Sequence, residues 1–384
     1  LGVPSVSIYG PTDPANTGPL GTHSSVLRGT APCMPCYDLS RPATCWRGDL
    51  TCMSSVSSEE VFAAAKLALW ASEGGWGSGR GSGLPLSHSP SPPLPRQPTL
   101  RPCEPAPDTY LRRILIVKLA GIGDMLTAFP AMEAIRAKYP ISEITALVTP
   151  QSAPVLDGSG LVDRVIEFDK YAFDGPGGLP QLAASRELLR LAARLRTRSY
   201  DAVLLLHHLV TWPGIVKYAA LTLGSGARVR AGLDDGRGRF LTLRAKDRGF
   251  GAKHEVEYWL EVAGLIGART LDPAVRLRWG EAEEEFADRA WRAMGLLGAD
   301  RVVALHPGAG SYSAARRWPA ERFSAVASAL SEEGMVPVVV AGPGEEDLAE
   351  LVCRGIRARH TILRGTPTPR HLAAVLARCG LFIG

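Results

Sequence analysis

The chain has 384 residues, is 46% hydrophobic and carries a formal net charge of +5, which supplies enough apolar material for two or three globular domains with cores of their own. The charge is mild and spread along the chain rather than gathered in basic blocks; it suits anionic small molecules or an anionic membrane face and argues against nucleic acid as a partner. No apolar run approaches the roughly 18 residues of a membrane-spanning helix, and the first residues lack the cationic head and apolar core of a secretory leader, so a cytoplasmic setting is expected.

The chain opens on LGVPSVSIYGPTDP, in which residues 4–9 read as a buried strand that needs a sheet beside it. Cys33, Cys36, Cys45 and Cys52 follow. Four thiolates can hold a structural zinc tetrahedrally, but the spacing is not that of a standard ribbon. A labile disulfide and packed free thiols stay open, and packed thiols are the simplest reading. After a helix at 58–69, residues 74–108 are Gly/Ser-rich and then Pro-rich, with almost nothing to bury, and read as a linker.

Beyond the linker the pattern is strand, helix, strand, helix. RILIVKLA is an apolar strand, residues 124–138 carry apolar residues at helical spacing and stop at YP, and ITALVTP and RVIEFD are further strands. An Arg-rich helix at 181–198, DAVLLLHH and ARVRAG come next, and a junction is expected between 268 and 301. The pattern then restarts with RVVALHPGAG, a helix after RWPAERF, VPVVVAGPG, a helix from Glu345, TILRG, a helix at 369–378, and LFIG. Strands that are apolar throughout imply parallel sheets covered on both faces. The fold class is therefore α/β, with two Rossmann-like domains whose ligands sit at the carboxyl ends of the strands, facing a cleft between them.

Two loops carry the chemistry. In KLAGIGDMLTAFPA, Gly121 and Gly123 permit a tight turn and close backbone approach, and Asp124 stands at a helix start, where a plain N-cap would also explain it. The third glycine of a dinucleotide fingerprint is missing, which disfavours a nicotinamide-dependent dehydrogenase. In LHPGAGSYSAARRWPAERF, a strand delivers Gly308, Ala309, Gly310 and Ser311, and then Arg316 and Arg317 ahead of a helix. Backbone N–H groups with a guanidinium suit a diphosphate. Glu345 and Glu346 close the next strand, where carboxylates can grip ribose hydroxyls or simply complement the helix dipole. His208 closes a strand and is a candidate for acceptor contact. His254 precedes a helix and reads as a cap or packing residue, and His306 as a supporting residue.

The stretches ILIVKLAGIGDMLTAFPAMEAIRAKYP, ALHPGAG with RRWPAERF, VVVAGPGEED and HLAAVLARCGLFIG together resemble the heptosyltransferase family, glycosyltransferase family 9, in order and spacing over residues 113–384. In that family a strand like LFIG is followed by a D-[ST]-G-x-x-H segment, a strand like GVPSVSIYGPTDP, a Cys-bearing loop and a helix like SSEEVFAAAKLAL. Residues 2–69 therefore resemble the end of such an enzyme, placed ahead of its beginning. The expected divisions are a tail segment at 1–71 that completes the C-terminal domain, a linker at 72–110, an acceptor-side domain at 111–268 and a truncated nucleotide-sugar domain at 269–384.

The resemblance implies a GT-B fold and an inverting, metal-independent transfer with no cofactor, from a nucleotide-sugar donor such as ADP-heptose to lipopolysaccharide core or a related glycan. Peripheral contact with the inner membrane face fits such an acceptor. Asp124 would be the general base. Arg316 or Arg317, with Ser311 and the 308–310 backbone, would hold the leaving diphosphate, and Glu345 or Glu346 the ribose. The family usually has Lys where Arg316 stands; Arg keeps the charge and adds bidentate reach. The D-[ST]-G-x-x-H segment is absent, so the chain reads either as a tandem junction or as a permuted enzyme, with a non-catalytic nucleotide-sugar-binding fragment as the alternative. If permuted, strand 4–9 should pair near residues 381–383, and helix 58–69 should pack onto the other domain.

Overall fold

The computed structural model describes residues 1–21, 23–36, 45–72, 110–170, 182–298, 300–310 and 314–384. All but the ends of the expected linker, and Ser311, lie outside these residues. Two short strands, β1 (Ser5–Tyr9) and β2 (Ser24–Arg28), precede the helix α1 (Ser58–Ser72). The middle of the chain supplies β3 (Arg113–Lys118), α2 (Ile122–Leu126), α3 (Phe129–Lys138), β4 (Glu143–Val148), β5 (Arg164–Glu167), α4 (Leu182–Arg196), β6 (Ala202–Leu205), α5 (Trp212–Gly224), β7 (Val229–Asp234), β8 (Leu243–Lys246) and α6 (Glu255–Gly264). The last stretch supplies α7 (Glu281–Ala293), β9 (Arg301–Leu305), α8 (Ala320–Glu332), β10 (Met335–Ala341), α9 (Glu346–Arg354), β11 (Thr361–Arg364), α10 (Pro369–Leu376) and β12 (Leu381–Ile383).

These elements form two compact units, one from Leu1–Pro14, Gly18–Pro98 and Trp279–Gly384, the other from Ala15–Thr17 and Thr99–Arg278. The second unit is a six-stranded parallel sheet of order β5-β4-β3-β6-β7-β8. Its central strands are buried on both faces, as continuous apolar runs require: in β3 every residue after Arg113 is buried. One face packs Met125, Phe129, Met132, Tyr258 and Trp259, the other Leu188, Leu191, Leu195, Tyr218 and Leu221. The single helix expected at 124–138 is in fact two. Pro130 near the start of α3 has no N–H to give, and the hydrogen-bond ladder begins afresh from Ala128. The unit runs to Arg278, ten residues past the expected boundary, because Leu277 still packs against its core.

The first unit has the order β11-β10-β9-β12-β1-β2, again all parallel. Counted from β9, this is the same 3-2-1-4-5-6 arrangement as the other sheet, with its fifth and sixth strands taken from the opposite end of the chain. Ser5 pairs with Phe382 and Val6 with Ile383. Phe382 N–H donates to Pro4 O at 2.9 Å, Gly384 N–H to Val6 O at 3.0 Å, and Ile8 N–H to Gly384 O at 2.9 Å. The tail segment thus completes the C-terminal sheet as expected.

Helix α1 does not behave as expected. Its apolar side (Val61, Ala64, Ala65 and Ala68) lies in the core of its own sheet, with Val303, Leu305, Phe323 and Leu330. The rest of the segment follows it there. Trp318, itself buried, donates its indole N–H to Val56 O at 2.9 Å, and Met53 and Val56 are buried in the same core. The apolar stripe of α1 had to be covered, and the nearest apolar surface is the sheet that β1 has just joined.

Val6 is fully buried in β1, whereas Leu1 is half exposed. Val6→Ala should lower the unfolding free energy by about 2 kcal/mol through lost contacts and a cavity. Leu1→Ala should stay within about 0.5 kcal/mol. Urea unfolding of the two variants measures the difference.

Candidate active site

Ligands of parallel sheets gather where the strands end at their carboxyl termini. In the 99–278 unit, the chain leaves β3 through Lys118, Leu119 and Ala120 and enters α2 at Gly121, the N-cap residue in extended conformation. Asp124 lies inside the first turn rather than at the cap, and its residue is exposed. Gly121 has a φ of −68°, which any residue adopts, and a Cβ on Gly121 or Gly123 would meet no atom of the described residues within 4 Å. Neither glycine is required by packing among the described residues.

Beneath Asp124 lies a polar network that sequence reasoning missed. Lys118 is buried, with its ammonium 3.8 Å from the centre of the Trp259 ring. The indole N–H of Trp259 donates to Thr127 Oγ1 at 3.0 Å, and the Thr127 hydroxyl donates to Asp124 O at 2.7 Å. The turn that carries Asp124 is thereby tied to α6. Burial pulls the Lys118 ammonium down to about 8, against the opposing pull of the Asp124 and Glu255 carboxylates. A lysine inside the otherwise apolar run RILIVKLA was the available signal.

His208 is buried and has both ring nitrogens engaged, Nδ1 with Asp247 at 2.8 Å and Nε2 with Glu255 at 3.1 Å. Burial pulls its pKa down, but the two carboxylate hydrogen bonds prevail and raise it to about 9. Phe250, Tyr258 and Trp259 pack around the ring at 4.3, 4.8 and 5.5 Å. His208 is a charged hub that joins the end of β6 to α6. Its neighbour His207 stacks on Tyr218 at 4.6 Å, and burial together with Lys118, Lys170 and Lys217 holds that ring neutral. His254 caps α6 as expected, accepting from Val256 N–H at 3.2 Å.

In the other unit the carboxyl end of β9 carries His306 and the glycine loop. Glu345, 5% exposed, accepts from Gly310 N–H at 2.7 Å and contacts His306 Nε2 at 3.2 Å. Burial pushes this carboxyl up, but the Gly310 N–H and His306 hold it below its usual value. The loop is moulded around this side chain. A Cβ on Gly308 would fall 2.0–2.3 Å from the Glu345 carboxyl group, and Gly310 has a φ of +68°. Ala309 is half-buried between the two glycines, and Glu346 is exposed at the start of α9. The two adjacent carboxylates therefore differ: Glu345 clamps the loop and Glu346 faces solvent. Arg317 donates to Gly310 O at 3.4 Å, and Arg316 lies half-buried in the preceding 3₁₀ turn.

All four cysteines of the first segment are free thiols, with Cys52 buried and the others half-buried. Burial raises the Cys36 and Cys52 thiols, and neighbouring cysteines add to it. Among the described residues no group of three or more His, Cys, Asp or Glu side chains is arranged to hold a metal ion.

Two parallel sheets of matching strand order, each with polar groups at its strand ends, are two Rossmann-like units of the kind from which GT-B enzymes are built. The family model for glycosyltransferase family 9 (heptosyltransferase) matches residues 188–384, just over half of the chain. The chain belongs to glycosyltransferase family 9. It is 25% identical over 271 residues to lipopolysaccharide heptosyltransferase 3 of Escherichia coli (strain K12), covering 68% of this chain and 73% of that protein. Among solved structures, a family 9 glycosyl transferase from Veillonella parvula matches with a TM-score of 0.59 at 23% identity, over 71% of this chain and 74% of the other. The E. coli ADP-heptose heptosyltransferase II matches at 0.53 and 19%, over 70% and 78%. The E. coli heptosyltransferase WaaC, solved with ADP-2-deoxy-2-fluoro heptose, also matches at 0.53 and 19%, over 70% and 81%.

Because the folded pKa of His208 is raised from 6.5 to about 9, its contribution to stability is full below pH 6.5 and fades as the pH rises through 9. Its ceiling is on the order of 3 kcal/mol. The melting temperature of His208→Gln should therefore fall furthest below wild type under pH 6.5, and the gap should narrow by pH 9. A gap independent of pH would count against the charged hub. The glycines should separate as well. Gly308→Ala, which drives a methyl into Glu345, should cost more than about 1 kcal/mol, while Gly121→Ala stays within about 0.5 kcal/mol, both read by chemical unfolding.

Proposed function

We propose that this protein is an inverting, metal-independent glycosyltransferase that moves a heptose from ADP-heptose to lipopolysaccharide core or a related glycan. The observation that carries the reading is the exposed carboxylate of Asp124, held on a braced turn at the carboxyl end of the central strand in a family 9 chain. The relative named for lipopolysaccharide and the neighbour solved with a fluorinated ADP-heptose support the choice of acceptor and donor. Such an acceptor is a glycolipid, and the enzyme would work in the bacterial cytoplasm at the inner membrane face.

In this reading Asp124 takes the proton from the acceptor hydroxyl as its oxygen attacks the anomeric carbon. The bond from that carbon to the diphosphate breaks on the opposite face, and ADP leaves with the electron pair. The Gly308–Gly310 backbone, Ser311 and Arg316 or Arg317 meet the negative charge that develops on the diphosphate. Glu346 holds the ribose, since Glu345 is engaged in shaping the loop. Gly121 and Gly123, which packing among the described residues does not demand, leave the backbone open to the acceptor. His208 acts from below by fixing α6 and the charge around Asp124.

Asp124→Asn should lower turnover by about 10²–10⁴-fold with donor affinity nearly unchanged; turnover within a fewfold of wild type would leave Asp124 a helix-stabilising residue only. Of Arg316→Ala and Arg317→Ala, one should weaken ADP binding strongly and the other little, as isothermal titration would show. Equal, small effects would mean that both are merely solvated.

A further inference from the structure

Helix α5 is apolar on two sides, one buried and one facing water. Trp212, Val216, Ala219 and Leu223 recur at helical spacing on one side of it, and that side faces water: Trp212 is 75%, Val216 59% and Leu223 50% exposed. Its only charged residue, Lys217, is 2% exposed. A helix on the surface of a soluble domain normally turns its apolar stripe inward, where α5 indeed buries Ile215, Tyr218 and Leu221 as well. The second, outward stripe has no role in the core of the unit. Val210 just before the helix and Leu189 of the neighbouring α4 are exposed as well, Leu189 to 66%. Helix α4 packs against α5 so closely that a Cβ on Gly224 would fall 2.6 Å from that of Ala192. Its solvent side carries Arg186, Arg190 and Arg194 against the one carboxylate of Glu187.

We infer that the outer face of α5, flanked by the arginines of α4, is a docking surface for an anionic phospholipid bilayer. An exposed apolar stripe led by tryptophan suits the boundary between headgroups and acyl chains, and adjacent arginines suit lipid phosphates. No described helix is long and apolar enough to cross a membrane, so the contact is peripheral. A second copy of the chain is the weaker occupant. An isologous pairing through this face would bring the α4 arginines of both copies together, on a chain whose net charge is already +5. The inference gives a surface to the lipid-borne acceptor proposed above, and its test needs no turnover.

The experiment is co-sedimentation of the full chain with vesicles, either phosphatidylglycerol mixed with phosphatidylethanolamine or phosphatidylcholine alone. Binding is expected to the anionic vesicles only, and to weaken in 0.5 M salt, where the screening length is about 4 Å. Trp212→Ser/Val216→Ser/Leu223→Ser, whose positions are exposed and whose melting curve should match wild type, should lose about tenfold or more of the partitioning. Arg186→Gln/Arg190→Gln/Arg194→Gln should lose at least about as much. Absence of binding to anionic vesicles, equal binding to phosphatidylcholine, or full binding by the serine variant overturns the inference. So does a dimer in sedimentation velocity that the serine variant converts to monomer. Transfer to a delipidated acceptor without vesicle binding would sink the docking surface alone, and vesicle binding without transfer would sink only the proposed reaction.

Discussion

The structure turns on the pairing of β1 with β12, two short strands from opposite ends of the chain. Taken alone, β12 is three residues long and would leave a row of backbone groups at the edge of a sheet. Pairing with β1 satisfies those groups, and β2 then takes the edge position with its mixed, half-exposed side chains. The same contact positions everything that follows β2. Met53, Val56 and α1 cover the face of the sheet, and α8, with Trp318 just ahead of it, is fastened to that cover. Such a closure brings together residues more than 370 apart in sequence. Its entropic cost grows only slowly with that distance, so a modest shared core suffices to offset it.

Each sheet then uses a buried charge to fix a loop at its strand ends. In one unit the acid is Glu345, gripping a backbone N–H and a histidine, with glycines where no larger residue fits. In the other the cation is His208, set between Asp247 and Glu255 and enclosed by three aromatic rings. Unpaired, either charge would be costly to bury; paired, each orders the backbone around it. The consequence for chemistry is preorganisation. A loop already held in place needs no rearrangement when charge develops in front of it.

The 99–278 unit also shows how one helix can serve two surroundings. Helix α5 buries Lys217 toward the strand ends, where Lys118 and Lys170 also bear on His207, while it turns Trp212, Val216 and Leu223 outward. A polar residue drawn inward and apolar residues left outside are opposite departures from ordinary patterning. Both make sense if the inner side faces a charged site and the outer side something other than water.

The order of elements, the two Rossmann-like halves and the positions of the glycine loops were legible in the sequence, because fully buried parallel strands are unbroken apolar runs and loops at strand ends carry glycine, proline and charge. So was the affinity of residues 4–9 for a sheet, since Val6 and Ile8 had nothing else to join. Edge strands β2 and β8 were not legible: SSVLR and LRAK have no apolar run, and only a neighbour makes them strands. Helix α5 was missed for a different reason: Pro213 and Gly214 in its first turn read as a break, although its apolar residues recur at helical spacing. Nor could spacing tell that Glu345 is engaged with its own loop while Glu346 is exposed, that His208 has both nitrogens occupied, or that α1 packs on its own sheet. Those outcomes depend on which groups meet across tens or hundreds of residues. Local patterning fixes which face of an element must be covered, but only the tertiary fold decides what covers it.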